Sequence, residues 1–309
     1  MDYLDDFSAH LISCDRSTQT VLGYTNDVAL FVRWYEETYG CPFKPEELTN
    51  AAIQAYKQTM IQRGAKPRSI NRRVASLAAF GLWAQIAGHM GPGPNPAVGI
   101  RTVKQVEYAP RWLDNRERAK LLRVIDDQIR RAMTRYPRLH IIIVRDATIT
   151  KLILNSGIRV SELAALRLND VCLENNRGNL VVRAGKGTKR REIPLNAEAR
   201  QAIKIYLQLR PNLPVDALFI GQSGEGIDTR TVQRSVSRFA SLAGLSGVSC
   251  HTLRHTFAKS LVDHGVSIEK VAMLLGHSSL NTTLIYTTPG RRDLEQAVDT
   301  LAAENNSKA

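Results

Sequence analysis

Three short segments of this chain hold residues suited to gripping an anion. In His251-Thr252-Leu253-Arg254-His255 an imidazole and a guanidinium stand three apart, a spacing that puts both on one face of a helix. Ser249 reads as the N-cap, so His251 falls in the first turn, where the helix dipole favours bound negative charge. His251 and His255 also have the i,i+4 spacing of a zinc-binding helix, but Thr252 stands where that motif needs Glu, and a metal site is not supported. The second segment, Ser156 to Leu163, reads as a tight turn entering a helix, with Arg159 at the turn and Glu162 one helical turn on. Taken alone, such an Arg-x-x-Glu pair is more often a surface ion pair of small value. The third, Leu274-Leu275-Gly276-His277, ends a helix at glycine and presents an imidazole, with Tyr286 nine residues later. A single tyrosine there would by itself be a half-buried core residue.

In order along the chain, Arg159, Lys186, His251-x-x-Arg254, Gly276-His277 and Tyr286 resemble the active site of the tyrosine recombinase (phage integrase) family. The resemblance covers roughly Leu113 to Thr288 and rests on four segments: G-I-R-V-S-E-L from Gly157, H-T-L-R-H-T-F-A from His251, L-L-G-H from Leu274 and T-T-L-I-Y ending at Tyr286. It implies that Tyr286 attacks a DNA phosphate to give a 3′-phosphotyrosine and a free 5′-hydroxyl. Arg159 and Arg254 would clamp the phosphate, His251 accept the phenolic proton, His277 hydrogen-bond the phosphate, and Lys186 protonate the leaving oxygen. Glu162 would support the basic residues.

The residues themselves suit that chemistry. Charge developing on the non-bridging oxygens calls for fixed cations, and two planar forks provide bidentate donors that lysine does not reproduce. A phenol with an ordinary pKa of about 10 needs nearby cations and an imidazole to lose its proton. Since one phosphoester replaces another, neither a metal nor a cofactor is expected. Gly185-Lys186 is followed by Gly187, so no phosphate-binding P-loop is present.

The rest of the sequence must position these groups. At 309 residues the chain is long enough for two domains, and a 43% apolar composition predicts ordinary cores. The formal charge of +13 is uneven: residues 1–105 hold 11 Lys and Arg against 9 Asp and Glu, and residues 106–309 hold 31 against 20. A field of that sign attracts polyanions, and nucleic acid is the expected partner, although a basic surface also serves solubility. Cys14, Cys41, Cys172 and Cys250 are scattered without a C-x-x-C pair, which suits a reducing cytoplasm. Neither a signal peptide nor a membrane span is indicated.

The expected fold is mainly α, in two domains. Residues 1–105 form a helical bundle of about four helices resembling the family's SAM-like core-binding domain. There Arg63, Lys66, Arg68, Arg72 and Arg73 make a basic cluster, read as phosphate contacts without a nearby acidic residue in the sequence. Gly88 to Arg111, rich in Pro and Gly, reads as an extended linker ending over 106–111. Residues 112–309 form a mixed α+β catalytic domain. Its helices are expected near 114–133, 139–155, 197–210, 229–243, 251–264, 267–275, 279–287 and 291–303, and two strands from Asn179 to Leu195 form a hairpin. Lys189, Arg190 and Arg191 on that hairpin are read as DNA-backbone contacts. The two domains suggest a clamp around double-stranded DNA carrying a specific site. The helix at 291–303 either packs on its own domain or docks on a neighbour in a tetramer, with itself or a related recombinase. No additional N-terminal arm-binding domain is expected, which favours the simpler Xer-like or transposon-borne members. A type IB topoisomerase-like enzyme and a non-catalytic DNA-binding protein are the alternatives. The arginines at 130, 131, 135 and 138 have no assigned role.

Overall fold

A computed structural model describes residues 2–104, 110–135, 140–183, 190–277 and 279–287. The chain divides into two compact units, Met1–Tyr108 and Ala109–Ala309.

The first unit is a bundle of α1 (Asp2–Ser13), α2 (Thr18–Tyr39), α3 (Asn50–Gln62) and α4 (Pro67–Ile86). Local chemistry fixes the ends. The Ser17 and Thr49 side chains accept from the Thr20 and Ala52 amides, Pro67 occupies the first turn of α4, and Gly40 closes α2 in the left-handed region at φ 68°. Phe7, Phe31, Ile53, Leu77 and Phe80 are fully buried in its core, and burying side chains of this size contributes about 1.5–3 kcal/mol each.

Two of the five cations in the basic cluster have an acidic partner after all, supplied by α2. Arg72 Nη1 lies 2.6 Å from Asp27 Oδ2 and Arg73 Nε 3.8 Å from Oδ1, while Ser76 donates to the same carboxylate at 2.9 Å. Asp27 is fully buried, so these cations compensate a charge taken out of water. Arg63, Lys66 and Arg68 remain exposed.

The glycine- and proline-rich segment after α4 does not run free as far as residue 104. Asn95 Nδ2 donates to Ala78 O, Asn50 Nδ2 to Pro96 O and Val98 O, Lys57 Nζ to Arg101 O, and Asn71 bonds both backbone groups of Val103. Met90, Ala97, Ile100 and Val103 pack on the bundle core. The segment is a strap, because its lack of periodicity is compensated by side chains that take up its backbone polar groups.

The second unit contains α5 (Asn115–Arg135), α6 (His140–Ser156), α7 (Val160–Ala164), β1 (Val171–Leu173), β2 (Gly178–Val182), β3 (Arg191–Pro194), α8 (Ala197–Leu209), α9 (Thr229–Leu242), α10 (Cys250–Asp263), α11 (Ile268–Leu275) and α12 (Asn281–Leu284). Helix α6 is buried on nearly every face and forms the centre of the core, with Ala147, Ile149, Leu152 and Ile153 fully enclosed. The strands make an antiparallel sheet in the order β1-β2-β3. The expected hairpin is present, and β1 is a third strand too short for its sequence to show periodicity. Leu180 pairs with Ile193 and Val182 with Arg191, so Arg191 lies on the same sheet face as the fully buried Ile193. Helix α12 is shorter than the 279–287 expected. Lys186, Lys189, Arg138 and the segment 291–303 lie outside the described residues. Arg130 and Arg131 are exposed and pair with Asp127 on their own helix. Among the described residues, no helix is long and apolar enough to cross a membrane.

Replacing Asp27 by Ala leaves two guanidiniums facing an emptied, buried position. Water can reach the partly exposed arginines, so the expected loss is about 1–3 kcal/mol of stability in the first unit, mainly from the buried bonds to Asp27, measured by urea unfolding of the full chain.

Candidate active site

The site is built on the last turn of α11. The final carbonyls of a helix have no intrahelical partner and carry the negative end of its dipole. Here three successive ones each receive an arginine. Arg191 Nε donates to Leu274 O at 3.1 Å, Arg254 Nη2 to Leu275 O at 2.7 Å, and Arg159 Nη2 to Gly276 O at 2.6 Å. Arg254 also donates from Nη1 to Gly157 O.

Two glycines allow this approach. Gly276 caps α11 at φ 64°, and a Cβ there would lie 2.7 Å from Arg191 Nη1. Gly157, at φ 61°, ends α6 where a Cβ would meet Phe257 Cδ1 at 2.5 Å and Leu275 Cδ2 at 2.8 Å. Both positions also demand the left-handed backbone that other residues adopt only at a cost.

Glu162 holds two of the arginines together. Its carboxylate accepts from Arg159 Nη1 at 2.8 Å, from Arg191 Nη1 and Nη2 at 2.9 and 2.7 Å, and from the Arg159 backbone N–H at 2.9 Å. Burial pushes its pKa up, but the bonds from Arg191 and the Arg159 backbone outweigh burial and hold it at about 2. Arg254 is 7% exposed; burial, then Arg159, lowers its pKa to about 10, which leaves it charged at neutral pH. Three guanidiniums therefore face one carboxylate, a surplus of positive charge suited to an anion.

His277 follows the glycine and places Nδ1 2.7 Å from Thr283 Oγ1 on α12. Burial, then Arg254 and Arg159, lowers its pKa to about 4. Tyr286, just after α12, is 1% exposed, and its ring packs with Ala258, Val271 and Leu275. Its hydroxyl lies 2.7 Å from His255 Nδ1. Burial raises the phenol's pKa and Arg254 opposes that rise. An arginine pair, two imidazoles and a phenol thus occupy one locality, in which the guanidiniums can hold a tetrahedral anion while the phenol is docked on His255.

A model of the phage integrase family matches residues 123–291, and one of the family's N-terminal SAM-like domain matches residues 4–88. The chain belongs to the phage integrase family. Members similar to it include the tyrosine recombinase XerC of Corynebacterium glutamicum, 31% identical over 95% of this chain and 89% of the relative, and XerD of Listeria monocytogenes, 30% identical over 93% of each. A TnP I resolvase of Bacillus thuringiensis is 27% identical over 97% of this chain and all of the relative. Among solved structures, a XerA recombinase aligns with a TM-score of 0.52 at 25% identity over 97% of both chains. A lambda integrase fragment, residues 75–356, bound as a dimer to a core site, shares the fold, with a TM-score of 0.69 at 21% identity over 94% of this chain and 96% of that one.

In this phage integrase family member Arg159, held by Glu162, and Arg254 meet at the end of α11, where His277 follows, and Tyr286 packs on the same helix. His251 is exposed in the first turn of α10, one turn before Arg254. Arg190 is exposed beside Glu192. Arg191 differs from its expected place at the DNA backbone. Its side chain is 10% exposed and bound to Glu162, because the strand register turns it to the buried face. The alternation of Arg191 with the apolar Ile193 was the available signal. His255 and Thr283 were also missed, since nothing local tells which helix their side chains meet.

Ala at position 276 should cost about 1–2 kcal/mol for the left-handed backbone alone, and more for displacing Arg191; thermal unfolding of Gly276→Ala measures this. Glu162 has a folded pKa below its ordinary 4.5, so its contribution is complete above pH 4.5 and lost as pH falls towards about 2. Acid titration of stability should fall through that window in the native protein, and Glu162→Gln should flatten it.

Proposed function

We propose that this protein is a site-specific DNA recombinase that cleaves and rejoins DNA strands through a 3′-phosphotyrosine at Tyr286. The observation that carries this reading is the convergence of Arg159 and Arg254 on adjacent carbonyls, Gly276 O and Leu275 O, immediately before His277 and with Tyr286 packed on the same helix.

Arg159 and Arg254 hold the scissile phosphate, using donors left over after their carbonyl bonds, and stabilise charge on its non-bridging oxygens. His277 hydrogen-bonds the phosphate and His251 takes the phenolic proton. Burial first, then Arg254 and Arg159, keep His277 neutral in the free protein, which suits a hydrogen bond to the phosphate. An entering phosphate would offset the repulsion from Arg254 and Arg159 that adds to burial, and so raise the His277 pKa. Lys186 protonates the leaving 5′ oxygen, and Glu162, tied to Arg191, keeps Arg159 in place. The bond energy stays in the phosphotyrosine, so rejoining needs neither ATP nor a metal. Arg63, Lys66, Arg68, Lys189 and Arg190 are the proposed contacts to the DNA backbone, with the partly exposed Arg72 beside them. The working form is a tetramer on two copies of a specific site in the cytoplasm. The relatives named XerC and XerD, matched over about nine-tenths of their length, favour this over relaxation by a topoisomerase-like monomer.

Incubation with nicked duplexes carrying the cognate site should trap a covalent complex, mapped to Tyr286 by mass spectrometry. Tyr286→Phe should abolish it with DNA affinity retained, and Arg254→Lys should reduce its rate by a factor on the order of 10². A complex that persists in Tyr286→Phe rejects the reading. Lys186→Ala should slow cleavage of ordinary DNA but spare a substrate with a 5′-thiolate leaving group; equal losses on both would remove Lys186 from the role of acid.

A further inference from the structure

The imidazole on the phenol oxygen belongs to His255, one helical turn beyond the exposed His251 to which the family resemblance assigned the phenolic proton. The two ring centroids are 5.5 Å apart at 52°, so the contact is an edge-on hydrogen bond with no stacking. Burial, then His251 and Arg254, brings the His255 pKa down to about 4, so both partners are neutral at physiological pH. Of the two, a phenol is the stronger donor, and the Nδ1 lone pair is its acceptor.

The turn that carries Tyr286 is held twice. Thr283, three residues earlier and fully buried, bonds His277 Nδ1, while Tyr286 bonds His255 Nδ1. Between these polar contacts the phenol ring fills an apolar berth formed by Ala258, Val271 and Leu275. At 1% exposure Tyr286 is covered in this docked arrangement.

We infer that His255 is a positioning residue for Tyr286: by accepting the phenolic hydrogen at Nδ1 it keeps the nucleophile docked in its berth, and cleavage requires this bond to be given up. The inference rests on Tyr286 as nucleophile. Taking the acceptor away leaves a buried hydroxyl without a partner, which disfavours the docked state by about tenfold.

The test uses the DNA-free full chain with His255→Phe, which keeps a planar ring without an acceptor, and His255→Asn, whose Oδ1 stands where Nδ1 stood. Nitration of Tyr286 by tetranitromethane, followed on its tryptic peptide, should be about tenfold faster in His255→Phe than in the native protein. In His255→Asn it should stay within about twofold of native. Protection unchanged in a folded His255→Phe, or lost equally in both variants, would overturn the assignment. Should His255→Phe fail to fold, His255→Gln replaces it: its amide reaches the Nε2 position, so Gln exposed with Asn protected supports the bond, and equal behaviour refutes it. The covalent-complex assay on the native protein is separate. Its failure would remove Tyr286 as nucleophile without altering the nitration pattern.

Discussion

The spare carbonyls at the end of α11 are the fixed point of the catalytic unit. Three guanidiniums brought together in a partly buried pocket repel one another, and each must be stripped of some water. Leu274, Leu275 and Gly276 answer this with oxygens already aligned at the negative end of a helix, and Glu162 adds a full charge. Arg159 comes from the turn before α7, Arg191 from β3 and Arg254 from α10, so one helix end joins three elements remote in sequence. The cations are thereby ordered before any ligand arrives, which is the condition for electrostatic stabilisation without reorganisation.

The phenol and the imidazoles complement that arrangement. Burial among cations keeps His255 and His277 uncharged, and the same burial keeps the Tyr286 phenol protonated. In the DNA-free chain the positive charge is thus concentrated on the arginines, and His255, His277 and the Tyr286 phenol are neutral and hydrogen-bonded. A phosphate would alter all of these balances together, since it supplies the negative charge that the pocket has in shortest supply.

Much of this was legible in the sequence, for identifiable reasons. Helix α10 announced itself through the Ser249 cap, and α11 through its terminal glycine, because capping is local chemistry. Arg159, Arg254, His277 and Tyr286 were singled out because four short segments, in order, resemble the family's, each short enough for its residue types to stand at fixed spacing. Three features were hidden because they depend on partners far along the chain. Arg191 looked like a surface cation until register turned it inward, Arg72 and Arg73 looked unpaired until α2 supplied Asp27, and the segment after α4 looked like a free linker until Asn50, Asn71 and Asn95 bound it down. Strand β1, three residues long, is below the length at which alternation carries information.

Because the arginines grip backbone oxygens, the identities of the side chains at 274 and 275 are irrelevant to those bonds, whereas the winding of α11 is decisive. Each residue of an α-helix advances the direction of its carbonyl by roughly 100° about the axis. Losing or gaining a single residue in α11 would swing the whole fan of oxygens away from Arg159, Arg191 and Arg254, even with every apolar contact nearby kept hydrophobic. Drift by substitution is therefore far better tolerated along this helix than any change in its length.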